Sequence, residues 1–399
     1  MIRVPLNAST LGTEEIDAAI AVLRSDRVTM GSRCEEFERI FAGYVGVGHA
    51  IMVNSGSSAN LLAMFALVNA LCPPSGGRRR LKPGDEVIVP AVTWSTTVWP
   101  IVQAGCVPRF VDSDPNTLQV RPETIEAAIS DKTRAIFLVH ILGNAVDTAR
   151  IRAIAKERGL WILEDTCELL GVRRDGRFAG TTGDIGTYSF YFSHHITTIE
   201  GGMVVTNDDD MADLLRALRA HGWVRNMKQS EKYRASFPDV DPRFMFITTG
   251  FNVRPTEINA AIGIPQLAKL AGYNSRRASL YTALCKALDT VISAGRLRPM
   301  SIEPGVDAAP FGFPVVCDSV STRKGLQDHL EARGIETRPI ICGNMTRQPA
   351  IRTIEHSVSG RLSGADRIMD CGLYWGLHPM MPLEDLDFTA RSVLEYFSA

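Results

Sequence analysis

The chain has 399 residues, 45% apolar and 22% charged, and its 43 basic against 44 acidic side chains leave a formal charge of -1. That length excludes a stapled mini-protein, and the near-zero charge excludes a global field drawing the molecule onto nucleic acid or an anionic bilayer. Any phosphate must then be held by a local site. Only 8 of the basic residues are lysine. The opening MIRVPLNAST has no basic region followed by an apolar run, and nowhere do 18 apolar residues follow one another. Both features predict a cytoplasmic protein with no membrane partner. The eight cysteines are scattered without CxxC or CxC spacing, which predicts reduced thiols, no metal site and no sequential iron–sulfur motif.

In chain order, apolar runs at 50–54, 86–90, 108–112, 134–140, 160–165, 186–191 and 202–206 read as strands. Between them, helical patterns cover 57–71, 95–104, 122–129 and 147–158, several opening on Ser, Asp or Pro. This alternation predicts βα units and an α/β fold with a mostly parallel mixed sheet. Such connections place functional residues at the carboxyl ends of strands. The segment CPPSGGRRRLKPGD (72–85) reads as a solvated loop, and 224–250, polar and aromatic without period, as a long surface excursion. Helices over 256–287 and 321–333, a strand over 311–316 and a terminal helix predict a smaller α+β domain. The expected division is 1–255, a large cofactor-binding domain with the N-terminal segment, and 256–399, a small C-terminal domain.

Four features carry chemistry. In VNSGSSANLL (53–62), Gly56, Ser57 and Ser58 open a helix after a strand and would aim N–H groups and hydroxyls at an anion, although ordinary capping uses the same residues. Asp165 ends the strand LWILED, Ser189 lies in GTYSFYFS, and Trp94 opens the helix after EVIVPAV. An anion turn, a flat aromatic, a carboxylate and a short polar strand in that set suggest a heteroaromatic phosphate cofactor whose ring nitrogen the carboxylate keeps protonated.

The segments SGSSANL, PAVTWSTT, ILEDTCELLG, GDIGTYSFYFSHHITTIEGGMV, GFNVRPTEINAAIG and ETRPIICGN resemble the DegT/DnrJ/EryC1/StrS family of pyridoxal phosphate enzymes, from about residue 5 to 390. The resemblance implies a fold-type-I, aminotransferase-like three-layer domain. It implies that Asp165 pairs with the pyridine nitrogen, that Trp94 stacks on the ring, and that Gly56, Ser57 and Ser189 bind the phosphate. Asn252 would reach the phosphate of a neighbouring subunit, hence a homodimer with shared active sites. Glu168 stands where most members have Gln beside the ring hydroxyl.

One position departs from the family pattern. Aminotransferases of this family read S-F-x-x-S-K, the Lys carrying the cofactor covalently; here Ser193 is followed by His194, and no lysine occurs between Lys156 and Lys228. Imidazole forms no stable Schiff base with an aldehyde, yet it moves protons near neutral pH. In this the chain resembles the family's sugar 3-dehydratases, which use pyridoxamine phosphate. That resemblance implies removal of the C3 hydroxyl from a 4-keto-6-deoxyhexose, nucleotide-linked as in such relatives, with His194 as base and then acid and glutamate as amino donor. The CxC-containing cysteine cluster of the iron–sulfur relatives is missing, so neither an iron–sulfur cluster nor a reductase is expected. Two alternatives stay open: an aminotransferase working without a covalent lysine, and a non-catalytic cofactor-binding partner subunit. The family holds its sugar nucleotide near Met30–Ser32 and the 221–246 region, where Arg219, Arg225, Arg243 and Arg254 are either diphosphate contacts or salt-bridged surface groups. His140, His221 and His378 read as packed histidines or substrate contacts, and Cys167 as a packing residue.

Overall fold

Runs such as Val87–Val89 and Ile136–Leu138 are apolar at every position, so both faces of those strands must be covered. The computed structural model, which describes residues 2–398, places them between two helical layers. Across the main sheet the strands run His49–Val53, Gly202–Thr206, Ile185–Ser189, Trp161–Asp165, Thr133–Val139, Glu86–Pro90, Val107–Val111 and Ser357–Val358. From Ile185–Ser189 onward all neighbours are parallel, whereas Gly202–Thr206 is antiparallel to both of its neighbours. Parallel neighbours require crossover connections, and these are the helices Gly56–Val68, Ser95–Gln103, Pro122–Ala128 and Thr148–Arg158. One face of the sheet packs Val89, Phe137 and Leu163 against Leu62, Ala66 and Val98. The other packs Ile88, Ile136 and Leu138 against Ile125, Ile151 and Ala155.

A second, antiparallel sheet is formed by Leu297–Pro299, Gly312–Cys317, Gly372–Gly376 and Thr337–Arg338. Its core of Phe313, Val315 and Trp375 lies under Leu326, Leu330 and Val393. The 31-residue helix Glu257–Ala287 joins the two halves. Its first half packs Ala260, Leu267 and Leu270 on Phe37 and Phe41, and its second half contributes Leu280 and Leu284 to the core of the small sheet. The chain also crosses between the sheets elsewhere, since Val4 pairs with Ile335 and Ser357–Val358 extends the large sheet.

The strand readings hold to within a residue or two at each end, while the helices Thr13–Leu23, Ser32–Val45, Asp209–Arg219 and Ser363–Cys371 were not anticipated. The Arg triplet is more than a solvated loop: Arg78 bonds Asp184 at 2.6 Å and lies 4.5 Å over the Trp161 ring, and Arg79 grips Asp85 with both nitrogens. The 224–250 excursion contains the short helix Ser230–Ser236 between two single 3-10 turns. Among the described residues, no helix is long and apolar enough to cross a membrane, and no group of three or more His, Cys, Asp or Glu side chains is arranged to hold a metal.

Candidate active site

At the carboxyl ends of the parallel strands lies a cavity of about 520 Å³, at the place where open α/β sheets bind ligands. Its floor is built locally. Ser55 caps the helix Gly56–Val68 by accepting from the Ser58 N–H at 3.1 Å, leaving other first-turn N–H groups free. Gly56 is buried against the end of the Ile185–Ser189 strand, where an added Cβ would lie 2.4 Å from Ser189 Cβ and 2.8 Å from Cys167 Sγ. Glycine is thus what lets the helix start and Ser189 meet at one corner. Ser57 is exposed at that corner and lines the cavity with Gly56 and Ser189. The corner offers helix N–H groups, two hydroxyls and the positive end of a helix dipole, a setting that suits a phosphate.

Asp165 ends its strand 5% exposed and faces the cavity. Its Oδ2 accepts from Asn60 Nδ2 at 2.7 Å and Thr97 Oγ1 at 2.8 Å, and its Oδ1 accepts from the Cys167 N–H at 3.0 Å. Thr187 Oγ1 in turn donates to Asn60 Oδ1 at 2.6 Å. Among the described residues this oriented carboxylate has no cationic partner, so a positive group in the cavity, such as a protonated ring nitrogen, would find its counter-charge there. Trp94 caps the helix Ser95–Gln103 with 58% of its surface exposed, and its ring borders the cavity. A large apolar face left open there suits a flat ligand.

Glu168 accepts from the Leu142 N–H at 3.1 Å, and Leu142 takes a left-handed φ of 50°. Burial, with some help from the Asp165 charge, pushes the Glu168 carboxyl up to about 7 against the opposing Leu142 N–H. At neutral pH the group is therefore as able to donate a hydrogen bond as to accept one. Behind the cavity, Glu164 is fully buried and accepts from the N–H groups of Gly180, Thr182 and Gly183, from Thr148 Oγ1, and from His140. The Val146 N–H donates to His140 Nδ1, which fixes the tautomer with its proton on Nε2, toward Glu164. His140 is thus a cavity-wall residue whose two nitrogens are both engaged in structural bonds.

His194 also lines the cavity, half-buried, between the ring edges of Tyr191 and Phe311, each 5.7 Å away. Its Nδ1 is buried without a hydrogen-bond partner. Burial pushes the imidazole down to about 4, with a hydrogen bond to the Ser189 backbone and the Asp165 charge opposing and Arg277 reinforcing the shift. This refines the sequence reading of a group titrating near neutrality: His194 rests as the free base. His195 points away, bonding Ala309 O at 2.9 Å. None of the chain's lysines lines the cavity.

Of the residues singled out from sequence, Gly56, Ser57, Trp94, Asp165, Glu168, Ser189 and His194 share this one cavity, whereas Asn252 lies exposed outside it, accepting from Arg254 Nε at 3.0 Å. His221 and His378 are also outside the lining. Arg219 is buried against Glu38 and Met52 O, Arg243 pairs with Asp241, and Arg225 lies 5.2 Å over the Trp223 ring, so the tested arginines have structural partners. Sequence reasoning missed Asn60 and Thr97, although both sit one turn into the motifs that carry Gly56 and Trp94. It also missed Phe311, Ile341 and Tyr374, which close the cavity from the C-terminal half and have no local signal.

The residues present fit a pyridoxal-type cofactor on three counts: the unpaired buried carboxylate, the corner that a Cβ would fill, and the exposed indole. Comparison with known proteins agrees. The family described as DegT/DnrJ/EryC1/StrS aminotransferase matches residues 9–394. GDP-4-keto-6-deoxy-D-mannose 3-dehydratase of Yersinia pseudotuberculosis is 38% identical over 383 residues, covering 95% of either chain. The Escherichia coli GDP-4-keto-6-deoxy-D-mannose-3-dehydratase with bound hydrated PLP superimposes with a TM-score of 0.88 at 36% identity, over 98% of this chain and 100% of that one. A structure of GDP-4-keto-6-deoxymannose-3-dehydratase with a trapped PLP-glutamate geminal diamine gives 0.87 at 36%, with the same coverage.

Proposed function

The chain belongs to the DegT/DnrJ/EryC1/StrS aminotransferase family, and from that premise we propose that it is a pyridoxamine phosphate-dependent 3-dehydratase acting on a nucleotide-linked 4-keto-6-deoxyhexose. The observation that carries this reading is one cavity lined by His194 and a buried carboxylate, Asp165, and by no lysine. When bound, the cofactor supplies an amine for the keto carbon and a ring that delocalises developing negative charge. Asp165 keeps the ring nitrogen protonated, held in aim by Asn60, Thr97 and the Cys167 N–H. Trp94 covers a ring face, while Gly56, Ser57 and Ser189 hold the phosphate. Glu168, neutral or charged near pH 7, bonds the ring hydroxyl. His194, resting as free base, would accept the proton that the bound cofactor gives up and pass it to the departing C3 hydroxyl, so water leaves.

The relatives' names point to a GDP-linked mannose derivative as substrate and to glutamate as the donor that restores the amine. Asn252 is exposed and outside its own cavity, as a residue serving a neighbour's phosphate would be, which supports a homodimer with shared sites. All eight cysteines are free, in keeping with a reducing cytoplasm.

The test incubates the enzyme with pyridoxal phosphate, glutamate and a panel of GDP-, dTDP- and CDP-linked 4-keto-6-deoxyhexoses, then follows ammonia and product mass. Loss of the C3 oxygen from the sugar, with one ammonia and one 2-oxoglutarate formed per turnover and a rate falling by roughly 10²- to 10⁴-fold in His194→Asn with cofactor binding kept, is the expected result. A product that gains an amine and keeps its hydroxyls would instead establish transamination. Ligand binding without turnover, even in His194→Lys, would identify a non-catalytic partner subunit.

A further inference from the structure

Arg277 lies on the Glu257–Ala287 helix, outside the cavity lining and only 3% exposed. Buried charges are ordinarily paired, yet among the described residues this guanidinium faces no carboxylate within ion-pair distance. Its Nη1 donates to Phe311 O and to Leu377 O, each at 2.9 Å, and its Nε is buried without a partner. The guanidinium carbon sits 5.8 Å from the Phe311 ring centroid, and that ring packs edge-on against His194 at 5.7 Å and tilted against His195 at 5.9 Å. One unneutralised cation therefore backs the wall that carries His194.

We propose that Arg277 is a positioning residue for His194: its uncompensated charge adds to burial in keeping the imidazole free of a proton at rest and hastens its release after uptake, while its bond to Phe311 O seats the ring that orients it. The proposal rests on the dehydratase reading for its purpose, but the geometry stands without it. The groups facing His194 are Asp165 from the strand end, Arg277 from the long helix and His195 beside it, with Glu168, Glu200 and Tyr191 further along the cavity wall. The Ser189 backbone carbonyl and the Asp165 charge favour the charged imidazole. His195 and His378, which also sense Arg277, are likewise pushed down, to about 3 and about 4, chiefly by burial. Arg277 itself is lowered to about 10 by burial and stays a cation at any working pH.

The test is the titration of His194 in cofactor-free protein by NMR of isotope-labelled histidine, its signal assigned with His194→Asn. Wild-type His194 should stay neutral to pH 5 and below. Arg277→Gln should raise its midpoint by roughly one pH unit, the effect of removing a nearby charge in a medium of intermediate dielectric. Arg277→Lys, which keeps the charge, should stay near wild type, and the acid limb of kcat/KM in the loaded enzyme should follow the same pattern. An unmoved midpoint in Arg277→Gln, or an equal rise in Arg277→Lys, would overturn the proposal. Should Arg277→Gln not fold, Arg277→Lys decides alone: an unchanged midpoint supports the charge effect and a raised one refutes it. Because the titration needs no turnover, its result is independent of whether the protein dehydrates sugars.

Discussion

Replacing Gly56 by alanine tests whether the phosphate corner is as tight as the structure makes it. The added Cβ would sit 2.4 Å from Ser189 Cβ and 2.9 Å from its Oγ, where carbon–carbon contacts settle at about 3.5–4.0 Å. More than about 1 Å must be recovered, and Ser189 cannot yield it, because it ends a fully buried strand paired to Gly202. The backbone at Gly56 is not left-handed, so the penalty is steric: the helix start must back away. Overpacking of this kind costs about 1–3 kcal/mol. The free protein relieves the overlap by opening the corner and binding must close it again, so at about 1.4 kcal/mol per tenfold the cofactor should bind roughly tenfold more weakly. The measurement is a pyridoxal phosphate titration followed by quenching of tryptophan fluorescence. Gly272→Ala on the long helix, where an added Cβ meets nothing within 4 Å, is the control: it should leave affinity unchanged and stabilise the protein by about 0.5–1 kcal/mol. Wild-type affinity in Gly56→Ala, or equal weakening in Gly272→Ala, would refute the argument.

Two carboxylates, the half-buried Glu168 and the buried Glu164, give predictions of opposite sign. Glu168 is raised by burial from its ordinary 4.5 to about 7, so the folded state holds the extra proton between those values and stability must fall as pH rises through them. At about 1.36 kcal/mol per pH unit the loss is on the order of 3 kcal/mol, and Glu168→Gln should flatten the urea-unfolding free energy of the apoprotein between pH 5 and 8; an unchanged slope would refute it. For Glu164, burial pushes the carboxyl up but His140 and the Gly183 and Gly180 N–H groups outweigh it, so the group is held below its ordinary 4.5. Its stabilisation is full above that range and is lost as pH falls through the folded value. Glu164→Gln turns an acceptor toward three N–H groups into a partial donor, which should cost about 3–5 kcal/mol, read as a lowered urea midpoint at pH 7; a midpoint within error of wild type would remove this network from the account of the fold.

Much of the site was legible because its parts are local. Gly56, Ser57, Trp94, Asp165, Ser189 and His194 each sit at a strand end or helix start that a few neighbouring residues define, and α/β topology brings all such ends to one edge. The amphipathic helix Asp209–Arg219 was passed over despite its Asp208 cap, a signal the sequence did contain. Arg78 was unreadable for a different reason: its partners Asp184 and Trp161 are about a hundred residues away, so its local context shows only a basic loop.

The sequence by itself determined the βα rhythm, the residues that gather at the cavity and the presence of His194 in place of lysine, since each depends on residue type and short spacing. Only the tertiary structure decided how that histidine behaves. Its packing between Tyr191 and Phe311, its descent to about 4 by burial, and the unpaired Arg277 behind it all depend on the long helix and small sheet closing over the strand ends. The contacts with Phe311 and Arg277 are made across more than eighty residues of chain, and no local pattern encodes them.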